Sequence, residues 1–133
     1  MRFSIIFIAT VLISCVSTRD SRPLIQNIGV EEAKDMLDGR WPRRFLLIDG
    51  RSQQMFDSGH ISGATLIDSR QEDAIQKLSS VLRFRTIMVY CSTNNRTDEI
   101  VSMLNELGYR GRIYAINGGI TAWREAGFET IYN

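Results

Sequence analysis

From Pro23 onward, short β-rich runs alternate with segments of helical periodicity, and this alternation constrains the fold more than any other feature of the sequence. Such alternation is typical of an α/β domain, in which helices cover a parallel sheet. A chain of 133 residues is too short for two ordinary domains. We therefore predict one α/β domain over residues 24–133, with an open parallel sheet of about five strands and helices on both faces.

Individual elements follow from the apolar patterns. Strands are predicted over 24–28, 45–48, 64–67, 86–90 and 112–116. Helices are predicted over 31–37, 52–56, 74–82, 97–107 and 120–126, each followed by glycine or a polar turn except the third. The continuous apolar run 86–90 is the strongest strand, and Cys91 follows it directly.

The N-terminus has a different composition from the predicted domain. Arg2 is followed by an uncharged, mainly apolar run up to Ser14, which is typical of a secretory signal peptide and shorter than a membrane-spanning helix. A buried first helix or strand, or a retained membrane anchor, remains an alternative.

The end of this run, Leu12-Ile13-Ser14-Cys15, resembles the lipobox of bacterial lipoproteins. The resemblance implies that residues 1–14 are removed and that Cys15 is lipidated. Residues 15–23 would then form a lipidated, largely polar tether to the domain. The expected location is extracytoplasmic, on the periplasmic side of a bacterial envelope and anchored to the membrane through lipid.

Composition excludes several functional classes. Sixteen Lys and Arg residues against fifteen Asp and Glu give a net charge of +1, and no basic block stands out, so nucleic acid is not an expected partner. Two cysteines and a single histidine, His60, are too few for a structural zinc site. We expect neither a metal nor an organic cofactor.

Cys91 is the main candidate for chemistry, because ligands and catalytic groups gather where a buried strand leads into a helix. Helix N-termini present backbone N–H groups and partial positive charge, which favour a thiolate and bind anions. The polar residues of the loop predict a solvated segment and a partly accessible sulfur; they are Ser92, Thr93, Asn94 and Asn95. Arg96 closes the loop with a guanidinium that can bind oxyanions. The alternatives are an inert buried cysteine and an arginine in a surface ion pair.

Three stretches together resemble the rhodanese-like family. The first is Leu47-Ile48-Asp49-Gly50-Arg51-Ser52, and the second is Phe56 with Gly59-His60-Ile61-Ser62-Gly63-Ala64. The third runs from Val89-Tyr90-Cys91 through Arg96-Thr97 to Leu107-Gly108-Tyr109 and Asn117-Gly118-Gly119, with Trp123 and Ala126-Gly127. The resemblance covers nearly all of residues 24–130.

The resemblance implies a sulfurtransferase. Cys91 would take a sulfane sulfur from thiosulfate or a persulfide, hold it as a persulfide, and pass it to a thiophilic acceptor such as cyanide, a small thiol or a protein. The loop Ser92–Thr97 would stabilise the persulfide, with Arg96 on the oxyanion end of the donor. Asp49 and Arg51 would support the loop, although a purely structural ion pair explains them equally well.

Other features bear on the choice of reaction. Arg96 lies five positions after Cys91, whereas cysteine phosphatases place arginine six positions after, so the spacing favours sulfur over phosphate or arsenate chemistry. The loop has Asn94-Asn95 where the family often has glycine; asparagine tolerates left-handed backbone, so we expect the turn to form. A non-catalytic module that binds an anion or a protein remains the alternative function. For His60 we expect a hydrogen bond to backbone, and for Trp123 and Phe128 a place in the core.

Overall fold

The computed structural model describes residues 22–39, 45–82, 84 and 86–133. The predicted signal peptide, Cys15 and nearly all of the tether lie outside the described residues. The strands are β1 (Leu24–Ile28), β2 (Phe45–Asp49), β3 (Thr65–Leu66), β4 (Thr86–Tyr90) and β5 (Arg112–Ile116). The helices are α1 (Val30–Asp38), α2 (Gln53–Asp57), α3 (Ala74–Ser80), α4 (Asn95–Glu106) and α5 (Gly119–Glu125).

The five strands form one parallel sheet in the order β1-β5-β4-β2-β3. The predicted open parallel sheet is therefore confirmed. β4 lies at its centre, and its residues Ile87–Tyr90 are fully buried, as a continuous apolar strand requires. Because all strands point the same way, the residues that follow β2, β4 and β5 meet at one edge of the sheet.

Alternating side chains of the strands build a core on each face of the sheet. One cluster packs under α1 and α5 and includes Leu47, Met88, Tyr90, Ile116 and Trp123. The other packs under α3 and α4 and includes Ile48, Val89, Leu78, Ile100 and Leu104. The predicted helices on both faces are confirmed. In the described part of the chain, no helix is long and apolar enough to cross a membrane.

Candidate active site

Cys91 lies at the carboxyl end of the central strand β4 and is 2% exposed. The prediction of a partly accessible sulfur is therefore wrong. Residues 92–95 are exposed or half-buried, as the sequence predicted, but the cysteine itself is buried, and Gly119 at the start of α5 packs against its backbone carbonyl.

The loop after Cys91 is shorter than predicted, because α4 begins at Asn95 rather than near Thr97. The Asn94 side chain does not cap the helix. Among the described residues, no protein acceptor receives a hydrogen bond from the backbone amides of residues 92–97. The first amides of a helix lack intrahelical partners, so the segment that directly follows Cys91 carries several unpaired backbone donors.

The start of α5 holds the loop in place. The amide of Ile120 donates to the Cys91 carbonyl at 2.9 Å, and Thr121 donates to the Ser92 carbonyl from its hydroxyl at 2.8 Å and its amide at 3.3 Å. A Cβ on Gly119 would lie 2.2 Å from the Cys91 carbonyl oxygen. Only glycine permits this approach. Thr121 was not identified from the sequence, because it carries no signal beyond its proximity to the Asn117-Gly118-Gly119 stretch.

The loop forms without a left-handed residue at Asn94 or Asn95. The φ of Asn94 is −141°, and Asn95 is already helical. Because the helix starts early, the chain needs no left-handed residue at this point. The Asn94 side chain instead accepts a hydrogen bond from the Gly118 amide at 3.2 Å. Asn94 thus ties the loop to the turn before α5.

Arg96 forms an ion pair. Its Nη1 donates to Asp68 Oδ1 at 2.5 Å and lies 3.4 Å from the Gly50 carbonyl oxygen. Asp68 is 6% exposed, so this carboxylate is fixed within the fold. The guanidinium is thus paired with Asp68, as the alternative of an ion pair predicted. Binding of the donor's oxyanion by Arg96 stays a prediction.

Thr97, in the first turn of α4, is buried. Within the described structure, its hydroxyl oxygen lacks a hydrogen-bond partner. An unpaired buried hydroxyl is costly, and such groups commonly have a functional reason.

Asp49 and Arg51 form a buried, bidentate ion pair, with Arg51 Nη2 2.7 Å from Asp49 Oδ2 and 2.8 Å from the Gly59 carbonyl oxygen. Burial lowers the pKa of Arg51, but hydrogen bonds to Asp49 and its charge outweigh burial and raise the pKa above its ordinary value. Neither side chain bonds the 92–97 loop. These contacts are those of a structural ion pair, and support of the loop by Asp49 and Arg51 stays a prediction. Gly50, between them in the chain, has its carbonyl oxygen 3.4 Å from Arg96 Nη1.

Tyr90, beside Cys91 in the chain, belongs to the same buried support. Its hydroxyl accepts a hydrogen bond from the Ile61 amide at 3.0 Å. Burial and the negative charge of Asp49 raise the pKa of Tyr90 far above its ordinary range. Tyr90 therefore remains neutral.

His60 is buried and stacks on Phe56 with a centroid separation of 3.7 Å. Its Nδ1 lies 3.0 Å from the Phe56 carbonyl oxygen. The predicted backbone hydrogen bond is confirmed. Trp123 is buried and Phe128 packs against it edge-on, so their placement in the core is confirmed too.

A second polar network lies beside the loop and was not foreseen from the sequence. Glu99 accepts hydrogen bonds from Arg70 Nη2 at 3.0 Å and from Ser69 Oγ at 2.5 Å. Hydrogen bonds from Arg70, and then from Ser69, lower the pKa of Glu99. The network links the segment after β3 to α4. In the described ranges, no group of His, Cys, Asp and Glu side chains is arranged to hold a metal.

Comparisons with known proteins identify the family to which this domain belongs. The model of the rhodanese-like domain matches residues 29–126. Over 92 residues the chain is 33% identical to the probable adenylyltransferase/sulfurtransferase MoeZ of Mycobacterium tuberculosis. The matched region covers 69% of this chain and 23% of that protein. The chain thus spans about a quarter of the length of that relative. It is also 28% identical over 86 residues to the uncharacterized protein slr1261 of Synechocystis, covering 65% of this chain and 46% of that protein.

Solved structures agree. The solution structure of the rhodanese-like domain of Alr3790 from Anabaena is similar with a TM-score of 0.68 and 27% identity, over 80% of this chain and 79% of that one. Thiosulfate sulfurtransferase from Pseudomonas aeruginosa has a TM-score of 0.69 over 84% of this chain and 20% of its own, and at 18% identity this is a likeness of fold alone. With its family match, its parallel sheet and its cysteine loop, the chain belongs to the rhodanese-like domain family.

Proposed function

We propose that the chain is a rhodanese-type sulfurtransferase in which Cys91 carries the transferred sulfur as a persulfide. The observation that carries this proposal is the set of unpaired backbone amides of residues 92–97 around a cysteine at the end of the central strand. A persulfide is an anion, and in a buried position it requires hydrogen-bond donors that are already in place.

The reaction consists of two displacements. In the first, the Cys91 thiolate attacks the outer sulfur of the donor; a Cys91–sulfur bond forms, and the donor's sulfur–sulfur bond breaks with its electron pair going to the leaving group. With thiosulfate the leaving group is sulfite. In the second, an acceptor thiolate or cyanide attacks the outer sulfur of the persulfide, and the Cys91 thiolate is regenerated.

The residues around Cys91 are compatible with this two-step reaction. The unpaired hydroxyl of Thr97 lies in the first turn of the helix that follows the loop. In this scheme it donates a hydrogen bond to the outer sulfur. Arg96 is engaged with Asp68, which favours sulfur transfer over phosphate chemistry, since the latter relies on a free arginine. The name of the similar MoeZ protein includes sulfurtransferase activity, which supports the same reaction class here.

Turnover with cyanide tests the proposal. The purified protein should form thiocyanate from thiosulfate or from glutathione persulfide, and Cys91→Ser should abolish this. Cys15→Ser is the matched control and should retain turnover, because the proposal gives the other cysteine of the chain no part in the reaction. Absence of turnover with both donors, together with equal anion binding by the wild type and Cys91→Ser, would contradict the proposal and favour a binding module.

A further inference from the structure

The charges around the Cys91 loop are balanced pair by pair. Arg96 is held by Asp68, whose carboxylate also accepts hydrogen bonds from the Arg70 amide at 3.1 Å and from Gln71 Nε2 at 3.4 Å. Three partners therefore fix the Asp68 carboxylate in place. Fixed opposite charge at this distance cancels most of the field that Arg96 would otherwise present to an incoming anion.

Arg70 is the second arginine next to the loop, and it too has its own carboxylate. Its Nη2 and Nε donate hydrogen bonds to Glu99 Oε1 at 3.0 and 3.2 Å. Its hydrogen bonds to Glu99, and the charge of Glu99, raise the pKa of Arg70. The charge of Arg70 is therefore offset by Glu99.

The entrance to the loop is uncharged and partly apolar. Residues 92–95 are Ser, Thr, Asn and Asn, and all four are exposed or half-buried. Met55 of α2 is 40% exposed, and its sulfur lies 3.9 Å from Ser92 Oγ. A thioether beside neutral polar groups contacts an organic thiol well and gives a sulfonate no charge partner.

Donors differ in what they leave at this entrance. Once the outer sulfur has entered the amide-lined loop, thiosulfate keeps its charged sulfonate group outside, and this group takes the electron pair of the broken S–S bond and departs as the sulfite dianion. A thiol persulfide leaves an organic group: the Cys91 thiolate attacks the outer sulfur of R–S–S–H, the S–S bond breaks, R–S⁻ departs with the electron pair, and the proton stays on the transferred sulfur. The charge on both sides of this step is −1.

We propose that the Asp68–Arg96 ion pair makes Cys91 selective for thiol persulfides over thiosulfate. The inference rests on the proposed sulfurtransferase function and specifies its donor. Asp68 is a specificity-determining residue in this scheme, acting through Arg96.

Single-turnover sulfur uptake tests the selectivity. The rate constant for persulfide formation on Cys91 is measured by intact mass with glutathione persulfide and with thiosulfate, and the wild type should prefer the persulfide by at least about tenfold. Asp68→Asn keeps the shape of the side chain and frees Arg96, so it should shift the ratio of the two rates toward thiosulfate by about tenfold. The double variant Asp68→Asn/Arg96→Gln should lose that shift.

Asp73→Asn is the matched control, because it removes the same charge from an exposed pair with Lys77 on α3 and should leave the ratio unchanged. A wild type that prefers thiosulfate, or an equal shift in Asp68→Asn and Asp73→Asn, would overturn the inference. If Asp68→Asn does not fold, the salt dependence of the wild type tests the inference instead. Between about 20 and 200 mM salt, the rate constant for persulfide formation from thiosulfate should change less than about twofold, because no unpaired charge attracts the anion. A several-fold loss of that rate constant would overturn the inference. Failure of both donors to label a titratable Cys91 would instead refute the proposed function.

Discussion

Gly119 makes the close contact between α5 and the cysteine loop. A side chain at this position would collide with the loop. It combines a φ of +55° with a Cβ position 2.2 Å from the Cys91 carbonyl oxygen. Gly127 has a similar φ of +79° but open space around its Cβ position. Alanine substitutions at the two positions therefore separate two costs in folding free energy: that of a left-handed backbone and that of the steric clash with the loop.

Gly127→Ala should lower the free energy of unfolding by about 1–2 kcal/mol, the cost of a left-handed alanine. Gly119→Ala should lower it by about 3–4 kcal/mol, because the clash with the loop adds to that cost. Denaturant unfolding measures both. Equal losses in the two variants would show that the contact with Cys91 contributes nothing.

Removal of the buried hydroxyl of Thr97 should leave stability unchanged or raise it, and should lower activity. Thr97→Val removes an unpaired polar group, so the free energy of unfolding should stay the same or rise by about 1 kcal/mol. Loss of a donor to the persulfide should slow sulfur uptake by about tenfold. Thr121→Val is the contrasting control, because its hydroxyl has a partner and its loss should destabilise the protein. An uptake rate in Thr97→Val equal to that of the wild type would rule out the proposed role.

At the scale of elements, Glu99 joins α4 to the segment after β3. Its pKa is lowered from the ordinary value of 4.5 by hydrogen bonds from Arg70 and Ser69. Its contribution to stability is therefore present above pH 4.5 and is lost as the pH falls through the lowered pKa. Glu99→Gln should lose less stability between neutral and acid pH than the wild type does. The control is Glu125→Gln, on the exposed end of α5; the same reduced loss in that variant would contradict the assignment to Glu99.

The sequence was sufficient to predict each strand and helix, because apolar periodicity and helix stops are local signals. The start of α4 was misplaced by two residues, since polar Asn95 and Arg96 resemble a loop until the neighbouring turn fixes them. The position of Cys91 at the end of β4 was also predictable from local sequence, whereas its burial was not, because burial depends on how distant segments pack. The pairing of Arg96 with Asp68 was not, because these residues lie 28 positions apart and only the sheet order brings them together.

For the whole molecule, the resemblance to a lipobox predicts a lipid-modified N-terminus ahead of the α/β domain, in a part of the chain outside the described residues. Cys15→Ser should release the protein from the membrane fraction or leave it unprocessed at a higher mass. Fractionation and intact mass of the wild type and the variant measure this. Identical fractionation and an unmodified N-terminus in both proteins would contradict the lipobox interpretation.

The intact mass of the purified protein before and after incubation with a sulfane sulfur donor tests the central claim most directly. The wild type should gain one sulfur atom from glutathione persulfide, cyanide should remove it, and Cys91→Ser should gain none. A wild type with reduced, titratable Cys91 that gains no sulfur from glutathione persulfide or thiosulfate would contradict the claim that Cys91 is a persulfide carrier.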